Sequence, residues 1–240
     1  MDSLTTDTFF SGKLTIKQKA GGYRFSIDAV LLAHHAIPRS GERLLDLGTG
    51  CGIIPIILAY RHPDFTAIGI EIQNELADLA ISNVDANHMQ HQITVLRLDI
   101  CGLKPDMIGG PVDVVVCNPP YRPPNSGRLN PDAQRAIARH ELKVSLIDVL
   151  EAAGRVLRTG GRFLTIYTAQ RTGELLSLMH LTGIEPKFIR VIHGRLKEEA
   201  KLVLVGGTKG ARAGTKIGPP LIIYTESGGY SKEVKQMFEP

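Results

Sequence analysis

The chain has 240 residues, 43% of them hydrophobic and 22% charged, which is enough to bury a core without disulfide or metal staples. Its three cysteines, Cys51, Cys101 and Cys117, have no pairable spacing, which argues against a disulfide framework or a zinc site and points to a reduced cytoplasm. The opening MDSLTTDTFFSGK lacks a signal peptide's apolar stretch, and no apolar run reaches the roughly eighteen residues of a membrane span. The net charge of +4 fits a nucleic-acid partner without arguing for one.

In chain order, Phe9–Lys19 reads as a small hairpin and Ser26–Ala36 as a helix with Ser26 as its N-cap. From Arg43 onward strand-like and helix-like stretches alternate. Arg43–Leu47 is a strand, Gly48–Gly52 a turn and Ile53–Tyr60 a helix. Thr66–Ile70 is a second strand, followed by an amphipathic helix over Asn74–Ala86. Ile93–Leu98 and Val112–Cys117 are further strands, the latter largely apolar like a central one. A helix is predicted over Leu142–Leu157, a strand over Arg162–Tyr167 and a helix over Gly173–Leu181. Lys187–Ile192 and Lys201–Val205 close the sheet. The segment Gly206–Pro220, rich in Gly, Pro and basic residues, reads as a flexible loop. The pattern predicts a mainly parallel sheet with helices on both faces. The expected organisation is an N-terminal extension over residues 1–40 and one domain over 41–240 with a basic tail.

Asp46-Leu47-Gly48-Thr49-Gly50-Cys51-Gly52 lies between a predicted strand and a predicted helix. Glycines there allow a tight turn and close approach to a ligand at the carboxyl edge of a sheet. The spacing is neither the dinucleotide fingerprint nor a phosphate-binding loop with Gly-Lys-Ser/Thr. Glu71 ends the next strand, 21 residues after Gly50, where a carboxylate can accept both hydroxyls of a ribose. Asp99 ends the third strand, where it can accept from the amine of an adenine. Singly these are a turn, a solvated strand end and a helix cap. Together, in this order, they suit an adenosine-bearing cofactor with no phosphates to neutralise.

Asn118-Pro119-Pro120-Tyr121 follows the fourth strand directly. Two prolines fix φ and stiffen the turn. Alone, such a turn is commonly structural. Here it stands beside a cofactor-like loop, and its chemistry fits a planar nitrogen whose lone pair is delocalised. The Asn118 side-chain oxygen and the Pro119 carbonyl can each accept one N–H of an amino group. That localises the lone pair toward a methyl donor by electrostatic positioning, with no strong base. Tyr121 offers a face on which a planar base or amide can stack.

These motifs resemble those of class I S-adenosylmethionine-dependent methyltransferases carrying N-P-P-Y, and within them the bacterial valine-tRNA adenine-N6 methyltransferase family. The resemblance runs over nearly the whole chain. It is carried by Gly22–Ala33 (GYRFSIDAVLLA), Asp46–Gly52, Glu71, Asp99, Asn118–Tyr121, Ala138–Glu141 (ARHE) and Tyr230–Val234 (YSKEV). It implies a Rossmann-like α/β fold with a seven-stranded, mostly parallel sheet, S-adenosylmethionine as cofactor and RNA, most of all tRNA, as partner, with no membrane and no metal. It also implies a pocket in which Asp46, Gly48, Gly50, Glu71, Ile72, Asp99, Ile100 and Asn118 hold the cofactor. Arg24 and Asp28 belong to a stretch that covers that pocket. Asn118, Pro119, Pro120 and Tyr121 form the catalytic corner. The long basic segment after the last predicted strand departs from the family.

Three rivals remain open at this point. A protein glutamine-N5 methyltransferase shares N-P-P-Y, but that family carries a helical N-terminal domain for which about forty residues leave no room. A DNA adenine methyltransferase carries a target-recognition domain not visible here. A non-catalytic RNA-binding relative sits badly with an intact Asn118–Tyr121. The basic residues Lys187, Arg190, Arg195, Lys197, Lys201, Lys209, Arg212 and Lys216 read equally as an RNA strip or a solvated surface. The same holds for Arg122, Arg128, Arg135 and Arg139. His34, His35 and His140 receive no chemistry, since His34 and His35 face different sides of one helix.

Overall fold

The computed structural model describes residues 4–19, 27–119 and 144–239. The predicted alternation is present. Strands β3 (Arg43–Leu47), β4 (Thr66–Glu71), β5 (Ile93–Arg97), β6 (Val112–Cys117) and β7 (Leu157–Thr168) run parallel. Strands β8 (Ile184–His193) and β9 (Ala200–Lys209) complete the main sheet, β9 antiparallel to both neighbours. The order is β10-β8-β9-β7-β6-β3-β4-β5, where β10 is Lys216–Ile217, and β11 (Leu221–Ile222) also pairs with β8. Among the described residues the sheet therefore has nine strands, where seven were expected.

One extra strand, β10, lies within the segment read as a loop, and β11 follows directly after it. Gly206 and Gly207 sit inside β9, and Lys216–Ile217 pairs in parallel with Phe188–Ile189 of β8. A strand glycine marks close approach. A Cβ on Gly207 would lie 2.8 Å from Ile184 Cγ2 and 3.1 Å from the Glu185 carbonyl oxygen. The glycine that suggested a loop is thus required by packing.

Alternation along the strands assigns the core to two layers. Leu44, Val114 and Val116 face one layer, with α1 (Ile27–His35) and α2 (Ile53–Arg61). Leu45, Leu47, Val115 and Cys117 face the other, with α4 (Leu146–Val156) and α5 (Thr172–Leu181). Helix α3 (Asn74–Ala86) adds Leu79 and Val84 to the first layer. Ser145 starts α4 with a reciprocal capping box to Asp148, later than the predicted start at Leu142.

A hairpin of β1 (Leu4–Phe9) and β2 (Leu14–Lys19) packs on α3 and buries Phe10, Leu14 and Ile16 in the first layer. Its first strand begins before the predicted Phe9. The C-terminal helix α6 (Lys232–Met237) is capped by Ser231, whose hydroxyl accepts from the Val234 N–H. Tyr224, Tyr230, Phe238 and Phe9 stack in a column at centroid spacings of 5.5, 5.4 and 6.3 Å. This gives Tyr230–Val234 a packing role. Ser26, the predicted cap of α1, lies outside the described residues. Among the described residues, no helix is long and apolar enough to cross a membrane, and no cluster of three His, Cys, Asp or Glu could hold a metal.

Candidate active site

Strand order reverses between β3 and β6. After β3 the chain moves toward β4, and after β6 toward β7. In such sheets the crevice for a ligand opens at the carboxyl ends beside the reversal. Asp46 pairs there with Val116, so the glycine turn and the Asn118 corner leave the sheet side by side.

The turn is built from left-handed glycines: Gly48, Gly50 and Gly52 have φ of 75°, 58° and 83°. The Gly48 and Thr49 N–H groups both donate to the Ile70 carbonyl at 2.9 Å. The Gly50 N–H donates to Glu71 Oε2 at 3.0 Å, and Glu71 Oε1 accepts from the Gln73 N–H at 2.9 Å. Glu71 therefore braces the turn as well as ending the strand, a role not read from the sequence. Each carboxylate oxygen retains a second acceptor position, so a ribose hydroxyl is still accommodated. Among the described residues, a Cβ on Gly48 would meet nothing within 4 Å.

Asp46 is fully buried, and neither of its oxygens has a hydrogen-bond partner, nor does the neighbouring Thr49 hydroxyl. Burial, with Glu71 adding repulsion, pushes its pKa up to about 7. The Thr49 hydroxyl tempers this from nearby without reaching hydrogen-bonding geometry. An unpartnered buried carboxylate is costly and demands a cationic or hydrogen-donating ligand. The ammonium and sulfonium of S-adenosylmethionine meet that demand.

Asp99 is exposed, and its Oδ1 accepts from the Cys101 N–H at 2.9 Å, capping the short helical turn Ile100–Gly102. The cap leaves Oδ2 available for an adenine amine. Arg155, at the end of α4, steadies this turn by donating to the carbonyls of Ile100, Cys101 and Leu103 at 3.0, 2.9 and 3.1 Å. Ile72 stands beside Glu71 with 43% of its surface exposed, and Ile100 is half-buried beside Asp99, apolar flanks suited to a flat purine. Asp28 lies in the first turn of α1, 7% exposed.

On the other side of the crevice Cys117 Sγ donates to the Leu47 carbonyl at 3.1 Å, tying the end of β6 to β3. Burial pushes the Cys117 thiol well up, and the Cys51 thiol up to about 11, so both are packing groups at neutral pH. Asn118 is half-buried and Pro119 buried, immediately after this tie. Pro120, Tyr121 and Arg24 lie outside the described residues, as do Arg122, Arg128, Arg135, Arg139 and His140.

The predicted basic strip is not one surface. Arg195 and Lys197 occupy the β8–β9 turn at the carboxyl edge, whereas Lys187, Lys209 and Arg212 lie toward the opposite edge. Arg190 is an internal clamp. It donates to the Pro219 carbonyl and to Glu233 at 2.9 Å each, and lies 3.1 Å from His35 Nε2. Burial lowers the pKa of His34 to about 4 and that of His35 as well, so both are neutral partners of Arg61 and Arg190.

A sheet with this order, a glycine turn over an unpartnered buried carboxylate and a proline corner beside it define a class I S-adenosylmethionine-dependent methyltransferase. The model of the methyltransferase small domain matches residues 24–182, and the chain belongs to that family. A Porphyromonas gingivalis protein named tRNA1(Val) (adenine(37)-N6)-methyltransferase is 30% identical over 258 residues, covering 99% of this chain and 95% of that protein. An Aeromonas hydrophila protein of the same name is 27% identical over 89% of this chain and 87% of its own length. Among solved structures, a predicted O-methyltransferase from Agrobacterium tumefaciens superposes with a TM-score of 0.69 at 24% identity, covering 88% of this chain and 94% of that one, which speaks to fold alone.

Proposed function

We propose that this protein transfers a methyl group from S-adenosylmethionine to the N6 amino group of an adenine in RNA, with tRNA as the substrate. The observation that carries the reading is that the Asn118–Pro119 corner leaves the sheet beside the glycine turn at the strand-order reversal. Near-full-length similarity to proteins named for that reaction supports the substrate. Bound S-adenosylmethionine supplies an electrophilic methyl group.

Asp46 would hold the ligand's positive end, Glu71 its ribose and Asp99 the amine of its adenine. Asn118 Oδ1 and the Pro119 carbonyl accept the two N–H bonds of the substrate amine. The nitrogen lone pair then points at the methyl carbon. Bound S-adenosylmethionine would supply the methyl group to that nitrogen, and the surplus proton on nitrogen would pass to water. Tyr121 stacks on the base, and Ile72 and Ile100 flank the cofactor's purine. Arg24 and Asp28 belong to the cover of the cofactor pocket. Residues 1–40 serve as an extension to a catalytic domain over 41–240, working in the cytoplasm.

The test supplies labelled S-adenosylmethionine and pure enzyme to separate pools of unmodified tRNA, rRNA, DNA and release factor. Label is expected at adenine N6 in tRNA. Label confined to release factor overturns the RNA assignment.

A further inference from the structure

Helix α3 carries Asn83 where its apolar stripe faces the protein, and Asn87 is its C-cap. Ala77, Ala80 and Val84 are buried on that stripe, and Asn83, fully buried, sits among them. A buried amide must have its hydrogen bonds met. Asn83 Oδ1 accepts from the Lys17 N–H, and Nδ2 donates to the Lys17 carbonyl and to the Cys51 carbonyl, all at 2.9 Å. One side chain thus holds a strand of the N-terminal hairpin and the glycine turn together. Asn87, one helical turn on, repeats the first half only. Its amide accepts from the Thr15 N–H at 3.0 Å and donates to the Thr15 carbonyl at 2.8 Å and to the Asn83 backbone carbonyl at 2.7 Å, with no bond to the turn.

We infer that Asn83 is a positioning residue for cofactor binding: its bond to the Cys51 carbonyl sets the glycine turn and joins that setting to the seating of the hairpin. The inference rests on reading Gly48–Gly52 as the cofactor's cradle. The other bonds of the turn come from the sheet side, through Ile70 and Glu71, and from within, where the Gly52 N–H donates to the Thr49 carbonyl at 2.9 Å. The Cys51 carbonyl is held from the helix side. Gly52, the residue after it, starts α2 with φ of 83° and no side-chain cap. Without Asn83 the Cys51–Gly52 peptide keeps only the bond from its Gly52 N–H to the Thr49 carbonyl, and its carbonyl side is released just where the turn's backbone lines the cradle. The Asp variant keeps the volume and the bond from the Lys17 N–H. It faces two carbonyl oxygens with no proton to give them.

The experiment compares wild type, Asn83→Ala, Asn83→Asp and Asn87→Ala. It measures S-adenosylhomocysteine affinity by calorimetry, Tm, and kcat and KM for S-adenosylmethionine. Both Asn83 variants are expected to bind S-adenosylhomocysteine roughly tenfold or more weakly, because a buried carbonyl loses its donor. KM rises in step and kcat holds within a few-fold. Asn87→Ala lowers Tm and leaves affinity within about twofold, because it loosens the hairpin without touching the turn. Should the Ala variant not fold, the Asp variant carries the comparison. Unchanged affinity in the folded Asn83 variants overturns the inference, as does an equal loss in Asn87→Ala. Wild type failing to bind S-adenosylhomocysteine refutes the cradle reading itself, a distinct result.

Discussion

Replacing Asp46 by Asn tests the idea that the site stores an unmet charge for its ligand. The carboxyl is fully buried without a partner, and its pKa rises from 3.8 to about 7. Between those two pH values the folded state holds a proton that the unfolded state has lost. Stability therefore falls as pH rises through that window, and the contribution present below pH 3.8 is gone above about 7. At about 1.4 kcal/mol per unit, ionised Asp46 costs the empty fold on the order of 4 kcal/mol. For a domain of this size that corresponds to a Tm lower by roughly 10 °C.

The measurement is thermal melting of both proteins, free of cofactor, from pH 5.5 to 8. The wild-type Tm is expected to drop relative to that of Asp46→Asn as pH rises, and the variant is expected to be the more stable at pH 8. Calorimetry with S-adenosylmethionine should show the opposite preference. The variant loses a charge-assisted bond and binds at least about tenfold more weakly. Parallel pH profiles for the two proteins would refute the reasoning, because they would mean that Asp46 carries no buried penalty.

Three further outcomes are expected. Asn118→Ala should cut kcat by roughly 100-fold or more, the scale of one lost transition-state acceptor, while cofactor affinity stays within a few-fold; equal turnover removes the proposed chemistry. Gly207→Val should destabilise by about 2 kcal/mol or more in urea melts, since its side chain must enter space held by Ile184 and Glu185, whereas a flexible loop would tolerate the change. Arg190→Ala should lower Tm by several degrees by releasing the carbonyl of Pro219 and the carboxylate of Glu233, and should leave the salt dependence of RNA binding unaltered; a shallower salt slope would return Arg190 to the phosphate-contacting surface.

The features legible in the residues alone are those set by local periodicity and backbone chemistry. The apolar run of Val112–Cys117 is a central strand because both of its faces are covered. Alternating glycines after Asp46 require positive φ, and they have it. Asp99 is the helix cap that the sequence offered for it, made through one of its two carboxylate oxygens.

Other features depend on which distant residues meet. Glycines and lysines after Val205 carry the composition of a loop, yet Gly207 is a strand residue because Ile184 and Glu185 close over it. Arg190 looked like one of a row of surface cations until α1 and α6 packed against β8 and made it a clamp. Asn83 gave a faint local sign, a polar residue in an apolar stripe, but its partners are Lys17 and Cys51, 66 and 32 residues away. Pattern along the chain determines which elements form and which face they bury, because those depend on neighbours within a turn or two. The partners of a buried polar group are decided only when the layers close, because its hydrogen bonds must then be met by whatever the fold brings within reach.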